Sequence, residues 1–292
     1  MLDVVPPPDR LVGPLALHLE IIAACNLTCS HCFAGPLPRK GTPLSVAEMD
    51  DLFATLAGMG CFRLGLTGGE PLLRRDIFDI IDAATDRGLH PCLTTNALLL
   101  TEEKARAFGQ RDLVWLNVSL EGATATSNDA VRGEGTFERV CDKLRMLSRH
   151  ARFALAFTLT ADNLGEVEQC AELARDVGAH TAVFRPVYPA GIARDNLHLM
   201  PAYEDYADAL ARLEGVLPAD EELAGIDPFS PQHRHRGLGQ VHTNGGCGAG
   251  NTICSISATG DVNPCSFLGP QHEAGNILSL IHISEPTRRY EI

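Results

Sequence analysis

The chain has 292 residues, 45% of them hydrophobic, and carries a formal net charge of -13. That length can bury one large core plus a smaller appendage, and the acidic balance argues against a nucleic-acid backbone or an anionic membrane surface as the main partner. No apolar run reaches the roughly 18 residues of a spanning helix, and Met1 to Pro8 lacks the basic start, apolar core and cleavage site of a signal peptide.

Strand-like and helix-like segments alternate along the chain. Leu15 to Ile22 reads as a strand, and Ser45 to Met59 as a helix capped by Ser45 with Glu48 three residues on. Phe62 to Leu66 is the next strand and Asp76 to Arg87 the next helix. His90 to Thr95, a helix from Thr101, and the strand Leu113 to Leu120 follow. After them come a helix Phe137 to Arg149, a strand Phe153 to Thr160, a helix Leu164 to Val177, a strand Thr181 to Arg185 and a last helix Tyr203 to Leu217. Such alternation implies an α/β protein with a parallel sheet and helices outside it. Periodicity does not distinguish an open, doubly wound sheet from a barrel.

Within this pattern, Cys25-Asn26-Leu27-Thr28-Cys29-Ser30-His31-Cys32 directly follows the first strand. Zinc in a structural site wants four ligands, commonly in paired knuckles, which an odd triplet fits poorly. Disulfides want an oxidising compartment that nothing at the N-terminus indicates. Three thiolates on one short loop can instead hold three irons of a cubane and leave the fourth open. Thr67-Gly68-Gly69-Glu70-Pro71 then closes the second strand. Its paired glycines permit close approach of the backbone, its proline stiffens the exit, and its carboxylate can pair with a cation. Alone, this would be an ordinary strand-ending turn.

Together the two motifs resemble the radical S-adenosylmethionine (radical SAM) superfamily. The resemblance implies a partial (β/α)6 TIM-like barrel with its chemistry at the C-terminal strand ends. Cys25, Cys29 and Cys32 would hold a [4Fe-4S] cluster whose open iron binds S-adenosylmethionine (SAM) and passes it one electron. The resulting 5'-deoxyadenosyl radical would abstract hydrogen from substrate. His31 would lie near the adenine, and the segment Gly68, Gly69, Glu70 and Pro71 would meet the SAM amino group. Asn96, Ser119 and Arg132, at or just beyond strand ends, are further candidates, with Ser119 at the ribose or carboxylate. Many relatives carry Ser-Leu-Asp-Gly or Ser-Ile-Asp-Gly where this chain has Ser119-Leu120-Glu121-Gly122, so Glu121 departs from that pattern.

From Pro218 to Gly246 the periodicity stops, and a segment with His233-Arg234-His235-Arg236 and several glycines reads as a linker or active-site loop. Cys247, Cys254 and Cys265 follow, with Ile256 to Val262 resembling a hairpin that brings Cys254 and Cys265 together. This stretch resembles a SPASM or twitch region, which implies an auxiliary [4Fe-4S] cluster on Cys247, Cys254 and Cys265. A zinc ribbon is the alternative. The single cysteines Cys61, Cys92, Cys141 and Cys170 read as buried small apolar residues. Leu278 onward reads as an in-frame translation of a sequencing adapter, so the expected organisation is an extension 1–14, a barrel 15–217, a linker 218–246, an auxiliary-cluster region 247–277 and an adapter-derived end 278–292.

The resemblance implies a cytoplasmic radical SAM enzyme acting on a peptide or small-molecule substrate, most often a peptide or protein maturase, served by a low-potential donor of the flavodoxin or ferredoxin type. Alternatives are modification of a tetrapyrrole side chain, or a non-catalytic iron-sulfur or zinc-binding protein. Neither nucleic acid nor membrane is expected as a partner.

Overall fold

A computed structural model of the chain describes residues 11–35, 41–216 and 248–279. Six parallel strands, β1 (Ala16–Ile22), β2 (Arg63–Gly68), β3 (His90–Thr95), β4 (Trp115–Leu120), β5 (Ala154–Leu159) and β6 (Thr181–Pro186), alternate with helices. These are α1 (Val46–Gly58), α2 (Ile77–Asp86), α3 (Glu102–Gly109), α4 (Ala125–Arg132), α5 (Thr136–Leu147), α6 (Val167–Asp176) and α7 (Tyr203–Val216), the last after β6. Each strand pairs in parallel with its predecessor in sequence. A doubly wound sheet would reverse its order at a switch point. This one never reverses from β1 to β6, so its helices stay on one face and the sheet rolls as in a partial barrel.

The alternation of side chains explains which face is which. On β1, Leu17, Leu19 and Ile21 are fully buried while His18, Glu20 and Ile22 on the opposite face are half-buried. The helices meet the buried face with stripes at three- and four-residue spacing, such as Met49, Phe53 and Leu56 of α1 or Val140, Leu144 and Leu147 of α5. The start of α1 follows the sequence expectation. Ser45 Oγ accepts from Glu48 N, and Glu48 Oε2 accepts from Ser45 N at 2.8 Å, which is a capping box.

Three features depart from the sequence reading. Helix α4 was not expected, because Ala125-Thr126-Ser127-Asn128-Asp129 is rich in residues that prefer turns; Thr124 caps it by accepting from Ser127 N. Cys92 is only partly buried, since it lies on the half-exposed face of β3 in register with Trp115; Cys61, Cys141 and Cys170 are buried.

The third departure is the C-terminal segment. β7 (Ile253–Ile256) lies parallel to β1, with Leu17 opposite Cys254, and β8 (Asp261–Asn263) and β9 (Gly275–Asn276) follow antiparallel. The segment therefore extends the main sheet, in the order β6-β5-β4-β3-β2-β1-β7-β8-β9. Among the described residues no strand joins β6 to β9, so the sheet stays open. The Asp261 carboxylate braces the hairpin turn by accepting from Thr259 Oγ1, Ser257 Oγ and Asn276 Nδ2. Leu278 and Ser279 turn back on Asn276; the linker and the rest of the adapter-like end lie outside the described residues.

Arg74 anchors the rim that carries the site. Its Nη1 donates to the carbonyls of Ile21 and Leu44 at 2.9 and 2.8 Å, and Nε and Nη2 grip Asp76. Arg74→Ala leaves those carbonyls without a charged donor, and a loss of about 1.5 to 3 kcal/mol is expected in urea unfolding. An unchanged midpoint would show that the anchor contributes nothing.

Candidate active site

The cysteine loop begins three residues after β1, and its start is fixed by the Gly-Gly-Glu-Pro segment. Gly69 N donates to Ile22 O and Glu70 N to Ala24 O, one residue before Cys25. The glycines are required by this approach: Gly68 has φ +135°, and a Cβ on Gly69 would run into the Ala24 carbonyl. They bring the backbone against the exit of β1, which is a role that spacing alone did not reveal.

Glu70 is buried, at 1% exposure. Its Oε1 accepts from Leu72 N at 2.9 Å and Thr95 Oγ1 at 2.6 Å, and its Oε2 from Asn96 N at 2.8 Å. Burial pushes its pKa above the ordinary carboxylate value, against the pull of these three donors. One carboxylate thus ties the end of β2 to the end of β3. Asn96 Nδ2 in turn donates to Asn26 Oδ1 within the cysteine loop. Ala97 beside it has φ +58°, and it is the one non-glycine residue with positive φ among the described residues.

The loop is held from its other side as well. Ser30 N donates to Val131 O at the end of α4, Asn196 Nδ2 to Ser30 O, and Ile192 N to Cys32 O. Cys25, Cys29 and Cys32 are half-buried with free thiols. Burial raises the thiol pKa of Cys25 and Cys29; Cys25 also feels the negative charge of Glu70 and Cys32, and Cys29 that of Cys32 and Cys25 against the pull of Arg132. A cationic centre would offset the cost of ionising these two thiols. Among the described residues, no three Cys, His, Asp or Glu side chains are drawn together as one metal ion demands. A sulfur-only set of three suits three irons of a cubane better than a single zinc, which wants four ligands.

Beneath the loop lies a network that the sequence did not announce. Arg132, at the end of α4, grips Glu121 through Nε and through Nη2, the latter at 2.9 Å from Oε1. Glu121 is fully buried and also faces His31 Nε2 at 3.3 Å. Burial and the neighbouring Arg132 push the His31 pKa down to about 3, so the ring is neutral. Its Nδ1 is buried without a hydrogen-bond partner among the described residues. Ser119 sits half-buried at the end of β4, on the face opposite Val118 and Leu120.

The second cysteine group is distributed differently from the sequence reading. Cys247 lies outside the described residues. In the hairpin Ser255 pairs with Asn263, and Cys254 falls on the other face, packed on the main core near Cys61. Burial foremost, then Cys61, raises its pKa to about 11. Cys265 instead lines a cavity of about 470 Å³ with Phe33, Arg194, Ser255 and Phe267, and its Sγ accepts from Phe267 N at 3.5 Å. The hairpin thus sets Cys254 against the core and Cys265 at the cavity. Phe33, directly after Cys32, packs edge-on against Phe267 at 5.1 Å, and Phe267 against Tyr188 at 4.9 Å. An aromatic clasp thus joins the two cysteine-bearing regions.

The Radical SAM superfamily matches residues 19–182, more than half of the chain. The chain belongs to the radical SAM superfamily. It is 34% identical over 279 residues to mycofactocin maturase MftC of Mycolicibacterium smegmatis, covering 92% of this chain and 69% of that protein. It is 30% identical over 285 residues to the AdoMet-dependent heme synthase of Methanosarcina barkeri, covering 91% and 80%. In fold it is similar to Streptococcus suis SuiB bound to S-adenosylmethionine, with a TM-score of 0.75, 17% identity and coverage of 91% of this chain and 64% of that one. The chain thus spans less than two thirds of SuiB's length. The family's cofactors are a [4Fe-4S] cluster and SAM, and relatives of the SPASM and twitch type carry auxiliary clusters in addition.

The two faces of the hairpin make a testable distinction. Cys254→Ala is expected to leave iron content per chain unchanged, with only a packing loss, whereas Cys265→Ala lowers it. Iron and sulfide assays on anaerobically reconstituted protein decide; equal loss in both variants would place Cys254 among the ligands.

Proposed function

We propose that this protein is a radical SAM maturase that modifies a peptide, with Cys25, Cys29 and Cys32 holding the cluster that binds SAM. The observation that carries the reading is the three-thiol loop, clamped on both sides at the C-terminal rim of a partial barrel. Similarity to a mycofactocin maturase over 92% of the chain supports the peptide class. When bound, the cluster and SAM supply a one-electron route to a carbon radical that takes hydrogen from substrate.

The chain's own residues bind and orient. Among the described residues Oε2 of Glu70 has a single donor, Asn96 N, and keeps acceptor capacity for the ammonium of SAM. That bond is charge-assisted and desolvated. The backbone of Gly68 and Gly69 borders the same place, and Ser119 offers a hydroxyl from the neighbouring strand end for the ribose or carboxylate. Arg132 spends two of its donors on Glu121, so it contributes to SAM through its remaining N–H groups or through charge. The cavity between Phe33 and Cys265 is where a substrate would reach both cysteine regions. Cys265, with Cys247, is proposed to hold the auxiliary cluster. A low-potential flavodoxin or ferredoxin is the proposed donor and the cytoplasm the proposed location; among the described residues no helix is long and apolar enough to cross a membrane.

The 30% identity to a heme synthase, over 80% of that protein, favours a tetrapyrrole as the second reading. Incubation with candidate precursor peptides and with porphyrin carboxylates, followed by mass spectrometry, separates the two.

Reconstituted protein given dithionite is expected to release 5'-deoxyadenosine from SAM, and Cys29→Ala to abolish release. Glu70→Gln should weaken SAM binding about 10- to 100-fold, the equivalent of losing a charge-assisted bond of about 1.5 to 3 kcal/mol, while iron content stays intact. Release that persists in Cys29→Ala would contradict the assignment, and unaltered affinity in Glu70→Gln would reduce Glu70 to a structural tie.

A further inference from the structure

We propose that Glu121 and Arg132 are positioning residues that set the reduction potential of the first cluster, with His31 as the point where Glu121 meets the cysteine loop. This rests on the reading that Cys25, Cys29 and Cys32 hold a [4Fe-4S] cluster. The pair is built into the fold at both ends. Glu121 N donates to Asn128 Oδ1 and Glu121 O accepts from Asn163 Nδ2, so the backbone carrying the carboxylate is fixed. Arg132 closes α4 immediately after Val131, whose carbonyl accepts from Ser30 N of the cysteine loop. The guanidinium is therefore tethered to the loop it underlies. Both side chains are buried, at 0% and 8% exposure, and His31 Nε2 stands 3.3 Å from Glu121 Oε1.

Arg132 lies within electrostatic reach of Cys29, Cys25, Cys32 and Glu70, while burial works against its charge. Reduction adds one negative charge to a cluster. A buried cation stabilises the reduced form more than it would in water, and a carboxylate at its back offsets part of that field. The two residues thus act with opposite signs on one quantity. A pair whose role is only structural has no reason to do so; its removal loosens the loop whichever partner is lost. The glutamate also fits the span: a side chain that must bridge the guanidinium and the His31 ring from the end of β4 uses the extra methylene that aspartate lacks.

The test is an EPR-monitored redox titration of reconstituted full-length protein without SAM, in a Cys265→Ala background so that the first cluster is observed. Arg132→Gln is expected to shift the midpoint to more negative potential and Glu121→Gln to more positive potential, with Arg132→Lys close to the parent. Glu121→Asp should fall between the parent and Glu121→Gln. Shifts of the same sign in both glutamine variants, or no shift, would overturn the proposal. Should Arg132→Gln fail to retain its cluster, the isosteric Glu121→Gln decides alone: a positive shift supports the proposal and an unchanged midpoint overturns it. Failure of the underlying reading has a different appearance, because the parent itself would then take up no [4Fe-4S] cluster.

Discussion

The site depends on a carboxylate that has been taken out of water. An unpaired buried charge is costly, and Glu70 is tolerable only because Leu72 N, Thr95 Oγ1 and Asn96 N all converge on it. That requirement locks the ends of β2 and β3 to each other. The backbone of Glu70 simultaneously donates to Ala24 O, so the first cysteine of the loop is placed by the same residue. Glycine at 68 and 69 is the steric condition for this contact. Three strand ends and the loop between them behave as one unit, poised at the rim where a parallel barrel presents its chemistry.

Around that unit, individually modest bonds do the positioning. Each neutral hydrogen bond contributes only about 0.5 to 1.5 kcal/mol, but the cysteine loop is bonded to β3's exit through Asn96, to α4 through Val131 and to the segment after β6 through Ile192 and Asn196. A loop held from several elements keeps its backbone in one arrangement, which is how a site gains precision. The Phe33, Phe267 and Tyr188 clasp extends the same logic to the hairpin that carries Cys265.

Much of this was legible from local pattern. Alternating apolar residues marked each strand from β1 to β6, Ser45 and Glu48 marked the start of α1, and the cysteine spacing with Gly68 to Pro71 marked the rim. What local pattern could not carry was parity and pairing over distance. Whether Cys254 faces Cys265 or the core turns on the register of β7 with β8, where Ser255 opposes Asn263. The insertion of β7 beside β1 joins residues more than 230 positions apart. The bond of Glu121 to Arg132 needs α4, whose polar composition hid it, although Thr124 before it and Gly133 after it were available as cap signals. Glu121 was visible only as a departure from the aspartate of relatives, and its partners Arg132 and His31 appeared only in the fold.

The central claim is that three cysteines hold a cluster with one iron left open for SAM. EPR of the dithionite-reduced, reconstituted protein tests it most directly, recorded before and after addition of SAM. The account predicts a [4Fe-4S] signal whose g values move when SAM is added, because the ligand enters the cluster's own coordination sphere. A signal that stays the same at saturating SAM, or iron content that does not fall when Cys25, Cys29 and Cys32 are replaced together, would contradict it.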